Sequence, residues 1–307
     1  MAKNKPIYVE STIRTTIESL WKYTQTPELH EQWDLRFTKI SYLPKRAEDE
    51  PQRFLYQTNI GFGISISGEG ESVGTTEKDE TKTSVLKFWS DNPISLIREG
   101  AGFWRYVPGE EGIRFFTRYD YQTRFGAMGR WLDRLLFRPL MGWATAWSFD
   151  ALRLWLEKGI HPNISLRRSL TELICRIISA FIWIYQGLFP KLLYPHTGEL
   201  QLLQATRLFP GYEQLALLFV GVGEICFGLL FAFAGRSWRK ALHLWNMILL
   251  VALGLGAVAE PTVLVEPFNP VTLNLGMMAL SVCGMLSLPD LPNASDCLRK
   301  PEKEERP

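Results

Sequence analysis

Apolar and polar positions alternate along much of the first 125 residues, and the alternation disappears beyond residue 170. Ile7, Val9 and Ile13 open an alternating run that predicts a strand, and Thr15-Thr16-Ile17-Glu18-Ser19-Leu20-Trp21 predicts a short helix capped by Thr, with Pro27 ending that region. After Trp33 the period of two predicts strands near 37–43, 53–59, 64–73, 83–90, 97–107 and 112–125. Alternation is clearest in the last, where Phe115, Thr117, Tyr119, Tyr121 and Thr123 share one face. The connections are rich in Gly, Asp, Glu and Pro, as antiparallel hairpins require. A helical stretch over 128–158 follows, with Pro139 set to kink or divide it.

The second half reads differently. Four stretches, 170–190, 213–234, 241–259 and 271–288, are each about long enough to cross a hydrocarbon core, which takes roughly 20 residues. The third and fourth hold no formally charged residue, which a buried helix of a soluble protein rarely achieves over such a length. Basic residues flank one side at every crossing: Lys158, Arg167 and Arg168; Arg236, Arg239 and Lys240; Arg299, Lys300, Lys303 and Arg306. The other side holds Lys191 and Arg207 in one loop and only Glu260 and Glu266 in the next. The bias predicts four spans with both termini cytoplasmic, in the inner membrane of a bacterium. No apolar run follows the first ten residues, so no secretory signal is expected there, and the sequons at Asn163 and Asn293 should carry no glycan.

Composition conceals this division. The 307 residues are 46% hydrophobic and 21% charged, with a mean hydropathy of −0.04 and a net charge of +2, values of an ordinary soluble protein. Residues 1–168 hold 45 charged side chains, 169–289 hold 12, and the last 18 hold 9. No single solvent suits both halves. The balanced charge and lack of a basic block argue against nucleic acid as a partner. Cys175, Cys226, Cys283 and Cys297 show neither CxxC spacing nor a metal-ligand cluster, so no metal site is predicted.

A charged group at membrane depth needs a partner or a polar cavity. Glu224 lies near the middle of the second stretch and reads as the one deep carboxylate, with Arg176 as a candidate partner and His243, Asn246 and Asn274 as further polar groups. The alternative is that Glu224 only joins helices while Arg176 reaches back to the headgroups. Gly221, Gly223 and Gly228, with Ala252, Gly256 and Gly276, would allow close packing in either case.

Arg176-Ile-Ile-Ser-Ala-Phe-Ile-Trp-Ile-Tyr-Gln-Gly-Leu-Phe-Pro-Lys191, Gly221-Val-Gly-Glu-Ile-Cys-Phe-Gly-Leu-Leu230 and Phe268-Asn-Pro-Val-Thr-Leu-Asn-Leu275 resemble the DoxX-like family of small four-helix membrane proteins. Members of the wider group are linked to quinone-coupled sulfur oxidation and membrane redox complexes. A shared site would fall here on Gln186, Lys191, Glu224, Asn269 and Asn274. The N-terminal order of strand, helical turns, six strands and long helix, with Ile7 to Ile13, Leu20-Trp21, Pro27 and Trp33, resembles the START-like or SRPBCC superfamily, which includes polyketide cyclases and lipid-transfer proteins. In that fold the sheet curls around the last helix and leaves an apolar cavity. Trp33, Phe54, Tyr56, Phe88, Phe103 or Trp104, and Phe115 or Phe116 are the expected lining, the alternative being that such aromatics fill a core. Together the resemblances imply an α+β helix-grip, START-like cytoplasmic domain at 1–160, a linker at 161–169, an all-α four-helix transmembrane bundle at 170–290 and a polar cytoplasmic tail at 291–307.

No catalytic constellation is visible. Only His30 and His161 precede the membrane half, each beside a predicted loop, and Gly61-Phe-Gly63 and Gly68-Glu-Gly70 read as a turn and a bulge rather than a phosphate loop. The helix over 128–158 carries Trp131, Trp143 and Trp147 with Arg130, Arg134 and Arg138. Trp131, Arg134, Arg138 and Trp143 suit a membrane interface; the alternative is that the apolar stripe simply packs on the sheet, and both hold if the part before Pro139 lies on lipid and the part after it on the sheet. The expected function is membrane-tethered binding or transfer of a lipid, isoprenoid or quinone, a quinone fitting both resemblances. The alternative is a subunit of a redox or transport system that uses Glu224, with a membrane-complex partner or a second copy of the chain, and the START-like half regulatory.

Overall fold

The computed structural model describes residues 5–45, 47, 50–61, 63–78, 80–196, 198–257, 264–265 and 269–301. Phe62, Ala259, Glu260, Glu266, Phe268, Lys303 and Arg306, used above, lie outside them. The chain divides into two compact units, one of residues 1–165 with 292–307, the other of residues 166–291.

The N-terminal unit opens with β1 (Ile7–Ile13), α1 (Ile17–Gln25) and α2 (Pro27–Trp33). Thr16 caps α1 by accepting from Ser19 N at 3.2 Å, the cap predicted from sequence. Pro27 was expected to end this region but starts α2, since its fixed φ and missing N–H suit the first helical turn. Six strands follow: β2 (Lys39–Tyr42), β3 (Gln52–Gly61), β4 (Ile64–Lys78), β5 (Thr81–Trp89), β6 (Ile97–Gly109) and β7 (Gly112–Thr123). All pairings are antiparallel, in the order β1-β7-β6-β5-β4-β3-β2, so consecutive strands are joined by hairpins and β1 closes on β7.

Gly61 and Gly63, with φ of +92° and +75°, flank the β3–β4 turn. Gly68 and Gly70 correct the sequence reading: they lie inside β4, not at a turn or bulge. They pair across the sheet with Tyr56 and Phe54, whose rings occupy the space a Cβ would need, and Gly100 lies likewise opposite Phe88. Missing side chains thus make room for large rings on the same face.

The long helical stretch is divided as Pro139 predicts, by a π-turn over Asp133–Phe137 between α3 (Gly126–Leu132) and α4 (Arg138–Lys158). In a π-turn residue i meets i+5, and here Arg138 Nε donates to Asp133 Oδ2 at 2.9 Å. Arg138 also donates to Asp120 Oδ1 at 2.9 Å, and Tyr121 donates to Asp133 Oδ1 at 2.7 Å. These bonds tie the turn to β7. Arg138 is therefore committed to the protein, which overturns its expected place on headgroup phosphates. The buried face of α4 meets the sheet, with Phe149 stacked on Phe115 at 4.4 Å between centroids.

Residues 292–301, expected to form a separate tail, return to this unit. Asn293 N donates to Asp150 Oδ2 at 2.8 Å, and Leu298 exchanges two backbone hydrogen bonds of 2.9 Å with Glu10.

The second unit contains most of α5 (Pro162–Gly187), then a π-turn over Leu188–Leu193, α6 (Gly198–Thr206), α7 (Glu213–Phe233), α8 (Arg236–Ala257) and α9 (Pro270–Ser287). Three stretches among the described residues are long and apolar enough to cross a membrane: Pro162–Leu193, Glu213–Phe233 and Pro270–Ser287. The other expected span falls in α8, where Arg239, Lys240, His243 and Asn246 crowd the N-terminal half and lower its hydropathy.

Candidate functional site

The N-terminal unit encloses a cavity of about 720 Å³, within the range of small-molecule sites. Phe54, Tyr56, Phe88, Phe103 and Trp104 line it. Trp33 and Phe115 do not. Trp33 is buried against His30 and Phe149 and donates to Tyr23 O at 3.0 Å, while Phe115 is sandwiched between Tyr106 and Phe149. Both are core. Burial pushes the Tyr56 phenol up to about 12.

Against this apolar wall stands a polar cluster that sequence reasoning missed. His30, on α2, stacks on Trp33 at 5.0 Å and meets Trp104 edge-on at 4.9 Å. One helical turn later Asp34, fully buried, ends α2 and faces His30 Nε2 at 3.0 Å. Arg36 closes a bidentate fork on the same carboxylate, Nε to Oδ1 at 2.8 Å and Nη2 to Oδ2 at 2.6 Å, while its backbone N–H donates to Oδ1 at 3.1 Å. Burial alone would raise the Asp34 carboxyl, but the Arg36 guanidinium and the hydrogen bonds from Arg36 and His30 outweigh it and hold the group well below the usual carboxylate range. Asp34 in turn keeps Arg36 charged in spite of its burial. His30 and Arg36 both line the cavity, the guanidinium lying 5.5 Å from the Phe37 centroid and 5.4 Å from that of Tyr119. The sequence signal was the i, i+4 spacing of His30 and Asp34 with Arg36 two residues on. Assigning His30 to a loop hid it.

A second feature adjoins the cavity. Phe137, Leu140, Met141 and Trp143 line it from the π-turn and the start of α4. The preceding α3 exposes Met128 (75%) and Trp131 (63%) and the π-turn exposes Leu135 (64%) and Leu136 (59%), with Arg134 exposed among them. Beyond this part, Ala146, Trp147, Phe149, Ala151 and Leu152 are buried, so the change of environment near Pro139 anticipated from sequence is present.

In the helical unit Glu224 is buried, but its partner is Lys191 at 3.1 Å, not Arg176. Lys191 Nζ also approaches Glu199 at 3.3 Å and Gln186 O at 3.4 Å. Close approach of Gly187 to the Gly221 carbonyl brings the π-turn after α5 against α7 and carries Lys191 to Glu224. Arg176 pairs instead with Glu172 at 3.2 Å and donates to Ala232 O at 2.5 Å, and Arg239 reaches Glu172 at 3.3 Å. Glu172 is thus a second buried carboxylate, so Glu224 is not the only one. His243 lies 3.3 Å from Ser281 Oγ, and Asn246 joins Trp183 Nε1 at 2.6 Å to Ser281 Oγ at 2.7 Å. Asn274 donates to Leu250 O at 3.1 Å, and Asn269 caps α9 by accepting from Thr272 N at 3.0 Å. Gln186 borders a shallow depression with Tyr185 and Phe189.

Among the described residues no group of three His, Cys, Asp or Glu side chains is placed to hold a metal ion.

Residues 180–282 match the model of the DoxX-like family. The chain is 50% identical over 187 residues to a Bacillus subtilis (strain 168) protein described as uncharacterized membrane protein YndG, an overlap that spans 60% of this chain and 69% of that protein. Solved structures show a limited likeness to part of the chain. TTHA0849 from Thermus thermophilus is 16% identical, with a TM-score of 0.34 over 44% of this chain and 86% of that one. The di-domain aromatase/cyclase StfQ of the steffimycin biosynthetic pathway is 14% identical, with a TM-score of 0.36 over 51% of this chain and 53% of that one.

Proposed function

Because the chain belongs to the family of the Bacillus subtilis membrane protein YndG, we propose that it holds an apolar small molecule in its N-terminal cavity at the membrane surface and exchanges it with the bilayer. The observation that carries this reading is the cavity of about 720 Å³, whose wall includes Phe137 of the π-turn, while the same turn exposes Leu135 and Leu136 and the preceding α3 exposes Trp131. Such a surface, with Arg134 among the apolar residues, suits the headgroup boundary of a bilayer. Only Gly159, Ile160 and His161 separate α4 from α5, itself a candidate span, so a bilayer is within reach.

Topology follows from a parity argument. Asn293 and Leu298 are bonded into the unit from which the chain departs at α5, so the number of crossings between them is even. With α5, α7 and α9 as three candidate spans, this supports α8 as the fourth crossing. The flanking Lys and Arg favour a cytoplasmic side for the N-terminal unit and the C-terminal segment. Alkaline phosphatase inserted at His196 should be active and at Ser237 inactive. Activity at Ser237 would overturn this arrangement.

The test of the function is extraction of the intact protein in lipid nanodiscs and mass spectrometry of bound apolar molecules. A lipid, isoprenoid or quinone in excess over protein-free nanodiscs is expected, and Leu135→Lys with Leu136→Lys should slow its exchange with the bilayer without unfolding the protein. Absence of any bound apolar molecule, together with no uptake from loaded vesicles, would overturn the reading.

A further inference from the structure

We infer that the cluster at the cavity wall is a recognition site for an uncharged carbonyl oxygen, of a ketone, ester or quinone, carried by an otherwise apolar ligand and bound by Arg36. This deepens the cavity reading and rests on it.

Counting donors and acceptors leads there. A carboxylate offers about four acceptor positions, and Asp34 uses four: Oδ1 accepts from Arg36 N and Nε, Oδ2 from Arg36 Nη2 and His30 Nε2. It has nothing left for a ligand, which argues against a cation or an amine. Since a carboxylate only accepts, His30 carries its proton on Nε2. The next contact is directional as well. Thr145 donates its proton to Met141 O at 2.8 Å, so at the 2.9 Å contact between Thr145 and Tyr119 the tyrosine must be the donor. The Tyr119 ring itself lies beside the guanidinium, its centroid 5.4 Å from the guanidinium carbon. Arg36 has five N–H groups. Two go to Asp34, and among the described residues no further hydrogen bond takes the other donors of this side chain, which lines the cavity.

Charge decides what those donors hold. Asp34 and Arg36 cancel, so the cluster offers directed N–H groups but no net positive charge. A carboxylate ligand would bring an uncompensated charge into an apolar space, whereas a neutral carbonyl needs only the donors. The rings of Phe37 and Tyr119 beside the guanidinium keep its plane fixed, so orientation adds selectivity.

The experiment compares 2-undecanone, undecane and undecanoate binding to the full-length protein in nanodiscs at pH 7.5, with protein-free nanodiscs as reference. The ketone should bind about tenfold or more tightly than the hydrocarbon, as a charge-assisted hydrogen bond implies, and more tightly than the carboxylate. Asp34→Leu combined with Arg36→Met removes both charges together and should bring the ketone down to the hydrocarbon's affinity while leaving the hydrocarbon's own unchanged. Equal affinity for ketone and hydrocarbon in the unaltered protein, or tighter binding of the carboxylate, would overturn this inference and leave the cavity reading standing. Failure of all three to bind would overturn the cavity reading itself. The comparison in the unaltered protein needs no variant to fold.

Discussion

In the N-terminal unit Asp34, Arg36 and His30 gather at the wall of a cavity of about 720 Å³, whereas in the helical unit Lys191 and Glu224 meet where Gly187 and Gly221 let two helical segments touch. Both clusters bury charge beside an opposite charge. They differ in what is left over. Lys191 Nζ has three oxygen neighbours, on Glu224, Glu199 and Gln186, so its charge is surrounded by the fold. Arg36, with two side-chain donors bound to Asp34, lines a cavity with the rest. A buried ion pair enclosed between helical segments holds them together, and one with donors at a cavity wall is equipped to bind.

The largest expected effects come from breaking each pair on one side. Asp34→Ala strands a guanidinium that cannot lose its proton and should cost about 3–5 kcal/mol of stability. Lys191→Met strands a carboxyl group, which a proton can neutralise, so a smaller loss of about 1–3 kcal/mol is expected. Denaturant unfolding of both purified variants measures the difference, and equal losses would erase the distinction. Glu224→Gln should cost only about 1 kcal/mol, since the amide keeps its shape and can still bond to its neighbours. If that variant stays folded yet loses a transport or redox activity, the reading of Glu224 as a working group replaces the reading as glue.

The next test is acid. Because the folded-state Asp34 carboxyl lies below its ordinary range, its contribution is present in full above the usual carboxylate titration near pH 4. It is lost as pH falls from there through the lowered value. An acid titration of stability should therefore be steeper for the native protein below about pH 4 than for Asp34→Asn. The same slope in both would separate Asp34 from the ion pair described. The smallest effect concerns the returning C-terminal segment. Burial pushes the Cys297 thiol up to about 12, so it should alkylate slowly at pH 8. Leu298→Pro, which removes one backbone hydrogen bond to Glu10, should speed that reaction several-fold, as a mass-spectrometric time course would record.

Much of the fold was legible because periodicity is local. Residues that alternate along β7, or stay apolar through α7, announce their environment without reference to any distant partner. The aromatics were half legible. Phe54, Tyr56 and Phe88 line the cavity because glycines opposite them leave room, and a glycine in sequence resembles a turn until its strand partner is known. Trp33 and Phe115 have the same chemistry but pack into the core, and only the placement of Phe149 on α4 separates the two outcomes. Arg138 and Arg134 differ in the same way, one claimed by Asp133 and Asp120 and the other left exposed.

The sequence by itself determined the division of the chain into an alternating half and an apolar half, the order of the strands, and the break near Pro139. These depend on spacing between neighbours and on the length needed to cross a bilayer. Only the tertiary structure decided that Glu224 meets Lys191, that Arg176 meets Glu172, and that His30, Asp34 and Arg36 stand at a cavity wall. Nearest-neighbour geometry between separate elements fixes ion pairing, because Coulomb attraction and hydrogen bonding act over a few ångströms that no one-dimensional spacing encodes. A cavity is further still from the sequence, since it is the space that the packed side chains fail to fill.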